Sequence, residues 1–230
     1  VDLNSKHVTG AEALVRWQHP KLGLLQPVDF LEVAEKTDLI VDIDKWVFRK
    51  VASLISQWQA EGVNLDGIHF SVNFSARMFY MPDLSDQLKN ILDQTNCQPH
   101  QLILEITERD MMRDFVTCVH NIEILRAQGY KIAIDDFGTG YSSLSVVKNL
   151  SADYLKLDRS FIQDLDTSQL DYEITNAVLK LARILNLSVI AEGVETQQHL
   201  DKLIQLGCKR AQGYYFSKPL PVTNWLEYFE

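Results

Sequence analysis

The sequence predicts an α/β protein, a closed barrel of parallel strands wrapped by helices. Three observations predict it. From about residue 68 onward, short apolar strand-like runs alternate with helical stretches, and repeated strand–helix units build a parallel sheet. About seven nearly complete strands plus a stub at the N-terminus approach the roughly eight that close such a barrel. A chain of 230 residues, 46% hydrophobic, can bury one core of this kind as a single domain. A doubly wound open sheet is the alternative, weakened because no Gly-rich nucleotide turn follows the first strand.

The elements follow in order. Residues 1–3 read as the end of a strand, as if the piece were cut from a longer protein. The turn-like Asn4-Ser5-Lys6 leads into a second strand over 8–17. So short a turn makes the two antiparallel. Alternation puts Val8, Gly10, Glu12, Leu14 and Arg16 on one face. Pro27 opens a helix over 27–40. A longer helix over 42–61 carries Ile43, Trp46, Val47, Val51, Leu54, Ile55 and Trp58 along an apolar stripe, and Gly62 stops it. Strands at 68–74, 102–106, 131–136, 154–157, 188–191 and 211–214 then alternate with helices at 83–95, 115–128, from 142, 170–186, 196–206 and 223–229. No repeats, linkers or low-complexity tracts interrupt them.

The centre of the chain is KIAIDDFGTGYSSL, residues 131–144. Ile132 and Ile134 point one way, Ala133 and Asp135 the other. Asp135 and Asp136 are adjacent at the strand end, where they repel each other and call for a cation, and hard divalent cations take carboxylate oxygens. An ideal strand would aim them oppositely, so both reach one site only if the strand breaks at Asp136, as the following glycines allow.

Other strands also end in polar residues: Glu12, Asn73, Glu105, Lys156 with Asp158, Glu192 and Gln212. In a barrel these ends meet at one mouth. Several carboxylates there would be destabilising without cations among them. Two divalent ions about 3.5–4 Å apart would turn a mouth that repels phosphate into one that hydrolyses a phosphodiester. Arg16 is placed to hold a phosphate oxygen, and Lys156 to polarise water or pair with Asp158.

The net charge of −9 argues against wrapping polymeric nucleic acid. Cys97, Cys118 and Cys208 lie far apart with no metal-ligand spacing and read as thiols of a reducing compartment. No membrane-spanning run or signal peptide is visible, so a cytoplasmic location is expected, either free or as the cytoplasmic domain of a membrane-bound protein.

The same residues carry a family pattern. EALVRW, beginning at Glu12, resembles the name-giving motif of the EAL domains, bacterial phosphodiesterases of cyclic-di-GMP. SVNFS, LEITE, IDDFGTGYSSL, YLKLDRSFI, VIAEGVET and QGYYFSKP resemble that family's blocks in its order, over essentially the whole chain. The resemblance implies a modified TIM-like (β/α)8 barrel with an antiparallel first strand, here N-terminally truncated. It implies hydrolysis of cyclic-di-GMP to linear pGpG with two Mg²⁺ or Mn²⁺ ions. Glu12, Asn73, Glu105, Asp135, Asp136 and Glu192 would ligate metal. Glu12 and Lys156 would be catalytic, Glu108 would steady the loop after Asp136, and Glu195 would lie near the site. Leu14, Arg16, Asp158, Gln212, Gly213 and Pro219 would contact substrate. The loop over 137–143 would couple the site to a homodimer, and such domains commonly follow a sensor or GGDEF module. Asp38 and Met78 depart from the family's usual Gly and Gln, away from the metal set.

Overall fold

In the computed structural model, residues 1–139 and 151–225 are described. The expected helix from 142, most of the loop over 137–143 and the end of the closing helix at 223–229 lie outside them.

Seven strands form one parallel sheet: β1 (Gly10–Ala13), β4 (His69–Asn73), β5 (Leu102–Thr107), β6 (Lys131–Phe137), β7 (Tyr154–Leu157), β8 (Ser188–Ala191) and β9 (Arg210–Ala211). Spatial order follows chain order from β1 to β9 without reversal. A doubly wound sheet would show a switch of direction, so that alternative fails. The stub at Val1–Leu3 lies antiparallel beside β9: Leu3 N–H donates to Lys209 O at 2.8 Å, and Ala211 N–H to Val1 O at 3.1 Å. Asp2 N–H donates to His7 O at 2.9 Å, so the same stub joins the β9 edge to the approach to β1.

Two elements differ from expectation. The run over 8–17 is a strand only over Gly10–Ala13. Trp17–His19 (β2) and Gly23–Leu25 (β3) form a separate antiparallel hairpin, turned at Gly23, whose φ of 76° suits glycine. The last strand stops at Ala211, because Gly213 (φ 154°) presses on the Val194 backbone and the chain turns there.

Two apolar layers result. Outside the sheet, α1 (Pro27–Glu35) precedes α2 (Leu39–Ala60), which buries Ile40, Val47, Phe48, Val51, Ala52, Ile55 and Trp58 along one stripe. Trp46, expected in that stripe, falls just off it and is 55% exposed. Inside the barrel sits a second cluster of Ile103, Ala133 and Tyr154 with Ile190 against it. Each lies two residues before a polar strand-end residue: Glu105, Asp135, Lys156 and Glu192. Side chains two apart share a strand face, so the inner plug and the polar ring are successive layers of one barrel interior.

Candidate active site

The polar ring closes on one amine. Lys156, 1% exposed, stands in β7 between Leu155 and Leu157. Its Nζ lies 2.6 Å from Glu105 Oε2, 2.9 Å from Glu192 Oε1, and 3.2 Å from both Glu12 Oε2 and Asp135 Oδ1. Four strands, β1, β5, β6 and β8, thus deliver a carboxylate to one point. The sequence offered Asp158 as an ion-pair partner for Lys156, but Asp158 Oδ1 instead accepts from Ser160 N–H at 3.0 Å and caps the turn after β7.

Neutral donors fill the gaps. Asn73 Nδ2 donates to Glu12 Oε1 at 2.7 Å. Gln212 Nε2 donates to Glu12 Oε2 at 2.8 Å and Glu192 Oε1 at 3.1 Å. Asp135 and Asp136 both reach the site because β6 breaks as the sequence requires. Pairing to β7 skips from Ile134↔Leu155 to Phe137↔Leu157, and Asp136 takes φ 52° in the left-handed region. Carboxylate oxygens of Asp135, Asp136 and Glu192 then lie within 4.8 Å of one another.

One cation does not balance this charge. Burial pushes Glu105 up to about 8 and Glu192 up to about 7, against the pull of Lys156. Burial and the neighbouring Asp135 also raise Asp136. Glu12 is held below the usual range, since Lys156, Gln212 and Asn73 together outweigh its burial. Lys156 stays an ammonium well above its ordinary value, burial being outweighed by Glu105 and its neighbours. Glu105 Oε1 is buried with no hydrogen-bond partner among the described residues. A buried carboxylate oxygen lacking a donor, beside further acidic side chains, is the donor set a hard divalent cation takes.

Glu108, buried at the start of the short helix after β5, accepts from Gly138 N–H through Oε2 at 2.8 Å. Leu14 and Arg16 lie past β1, so strand alternation does not place them. Leu14 is 42% exposed, and Arg16 Nη1 donates to Val15 O at 2.8 Å. Glu195 and Pro219 are exposed, and Gly213 follows Gln212 at the turn. These five are not drawn into the bonds around Lys156. Asp38 pairs with Arg77, while Met78 is buried in the core.

Sequence reasoning missed Lys156 as the hub. The signal was there: a Lys inside a short apolar strand must meet anions when it is buried. It also missed Asp44, buried on α2, whose Oδ2 accepts from Ser75 N–H at 2.9 Å and Ser75 Oγ at 2.6 Å, just past Asn73. No local pattern distinguishes that Asp from a solvated helix residue.

A family model described as "EAL domain" matches residues 1–219. The chain is 43% identical over 221 residues to the bifunctional diguanylate cyclase/cyclic di-GMP phosphodiesterase MucR of Pseudomonas aeruginosa, covering 94% of this chain and 31% of that protein. It is 41% identical over 217 residues to the cyclic di-GMP phosphodiesterase NbdA of the same organism, covering 94% and 28%. The chain therefore spans about a third of the length of these curated relatives. Among solved structures, a PaMucR phosphodiesterase–c-di-GMP complex superposes with a TM-score of 0.88 at 42% identity, covering 94% of this chain and 87% of that one. The FimX EAL domain from Pseudomonas aeruginosa bound to c-di-GMP gives 0.86 at 25% identity, covering 95% and 87%.

Proposed function

This chain belongs to the EAL domain family, and on that premise we propose that it hydrolyses one phosphodiester bond of cyclic-di-GMP, giving linear pGpG. The observation that carries the reading is the convergence of Glu12, Glu105, Asp135 and Glu192 on one buried lysine from four separate strands.

Glu12, Asn73, Glu105, Asp135, Asp136 and Glu192 would hold two Mg²⁺ or Mn²⁺ ions. Bound there, such ions would supply an activated water and neutralise charge at the scissile phosphate. The protein's own groups do the rest. Lys156, held as an ammonium, faces the centre of the site and stabilises charge that develops on the attacked phosphate. Gln212 orients Glu12 and Glu192 and turns toward substrate. Arg16 swings from its own backbone to a phosphate oxygen. Leu14, Asp158, Gly213 and Pro219 line the substrate's path, and Glu195 stands at its edge. Glu108 fixes the loop after Asp136 through Gly138. That loop and the helices beside it would carry a homodimer contact, and an upstream sensor or GGDEF module would regulate the site from within a longer protein. Among the described residues, no helix is long and apolar enough to cross a membrane. A cytoplasmic setting suits the substrate and three buried free thiols.

A receptor that binds the dinucleotide without cutting it would tolerate loss of acidic ligands, and here each one has its place in the ring. Incubation with cyclic-di-GMP and Mg²⁺ tests the proposal. Linear pGpG is expected, and Glu12→Ala should abolish it. Near-normal turnover in that variant would refute the role given to Glu12, while tight binding without product would support the receptor.

A further inference from the structure

We propose that the single turn Arg159–Phe161 is the spacer that sets the gap between the end of β6 carrying Asp135–Asp136 and the loop carrying Glu192, with Phe161 as its positioning residue. This rests on the metal-site reading above.

β7 lies between β6 and β8, and Leu157 pairs with Phe137 on one side and Ala191 on the other. The turn that follows Leu157 therefore emerges between the exits of both neighbouring strands. Both exits press on it at a glycine. A methyl group on Gly138 would lie 2.5 Å from Phe161 Cζ, and one on Gly193 would lie 2.4 Å from Arg159 Cβ. Both glycines are left-handed, at φ 96° and 69°, so each is adapted to close approach as well as to its turn. Gly138 lies two residues after Asp136, and Gly193 directly follows Glu192. The acidic oxygens that must stay within 4.8 Å thus belong to two strand exits braced against one wedge.

The wedge is itself held. Asp158 Oδ1 accepts from Ser160 N–H at 3.0 Å, and Phe161 N–H donates to Asp158 O at 3.1 Å. Thr175 Oγ1, fully buried on the helix Gln169–Ile184, donates to Phe161 O at 3.3 Å. Outer groups that orient metal ligands are worth about 10–100-fold in metal affinity when they are hydrogen-bond partners, and a side chain that fixes the backbone carrying the ligands acts to the same end.

Mn²⁺ binding to the metal-free protein, followed by electron paramagnetic resonance, tests the proposal alongside circular dichroism of the same samples. Phe161→Leu should weaken one Mn²⁺ site about tenfold and Phe161→Ala by more, in folded protein, and Asp136→Asn should weaken it too. If the Ala variant does not fold, Phe161→Leu decides. Wild-type Mn²⁺ affinity in the Phe161 variants, with affinity lost in Asp136→Asn, would overturn the spacer alone. Unchanged affinity in all three would overturn the metal reading beneath it.

Discussion

Lys156 and Asp136 each hold a position that is costly in isolation. An ammonium buried to 1% exposure survives only because four carboxylates surround it. In metal-free protein, Lys156→Met should lower stability by about 3–5 kcal/mol, because it leaves the carboxylates buried without a cation. Excess Mn²⁺ should recover much of that loss, and urea midpoints with and without Mn²⁺ check it. A Met variant as stable as wild type without metal would show that the ring is not held by charge. Asp136 carries a different cost, a left-handed backbone at φ 52° that a residue with a Cβ adopts at about 1–3 kcal/mol. Asp136→Gly should therefore stabilise the metal-free protein by about 1 kcal/mol while removing turnover. A variant that loses stability would show that the Asp136 side chain supports the fold, not only the site.

At the scale of elements, α2 is tied through Asp44 to Ser75, two residues past Asn73. Burial raises the Asp44 carboxyl from 3.8 to about 6 despite two hydrogen bonds from Ser75. A carboxyl whose folded pKa exceeds its unfolded value favours the native state while protonated, so its contribution is present below about pH 4 and lost as pH rises through 6. The shift corresponds to about 3 kcal/mol, on the order of 1.4 kcal/mol per unit. Asp44→Asn should flatten the stability profile between pH 4 and 6 relative to wild type, read from urea midpoints across that range. Parallel profiles would place the titration elsewhere. The elements were legible where local chemistry dominates. Tyr154–Leu157 and Ser188–Ala191 fall where their apolar runs put them, and Gly62, Gly129 and Gly207 follow helix ends at φ 84°, 101° and 73°. They were not legible where tertiary contact overrides alternation. Nothing local ends β1 at Ala13 or sends Trp17 into its own hairpin against Phe30, at 5.8 Å between ring centroids. The contact of Phe161 with Gly138 joins segments far apart in sequence and carries no local signal.

At the scale of the molecule, sheet order and strand period together make the site. Uninterrupted order from β1 to β9 aims every strand end at one mouth, and the two-residue period stacks the polar ring on the plug of Ile103, Ala133 and Tyr154. That is why the acidic strand ends could be read from sequence as one site, whereas their sharing of a single lysine could not. On the proposed chemistry, paired divalent cations sit among these carboxylates. A crystal grown with Mn²⁺ and measured for anomalous scattering at the manganese edge tests it most directly. Two peaks are expected, both within ligand distance of the Asp135–Asp136 pair's surroundings, with Glu105, Glu192 and Glu12 drawn from Lys156 toward them. A mouth with no anomalous peak at saturating Mn²⁺, its four carboxylates still gathered on Lys156, would contradict it.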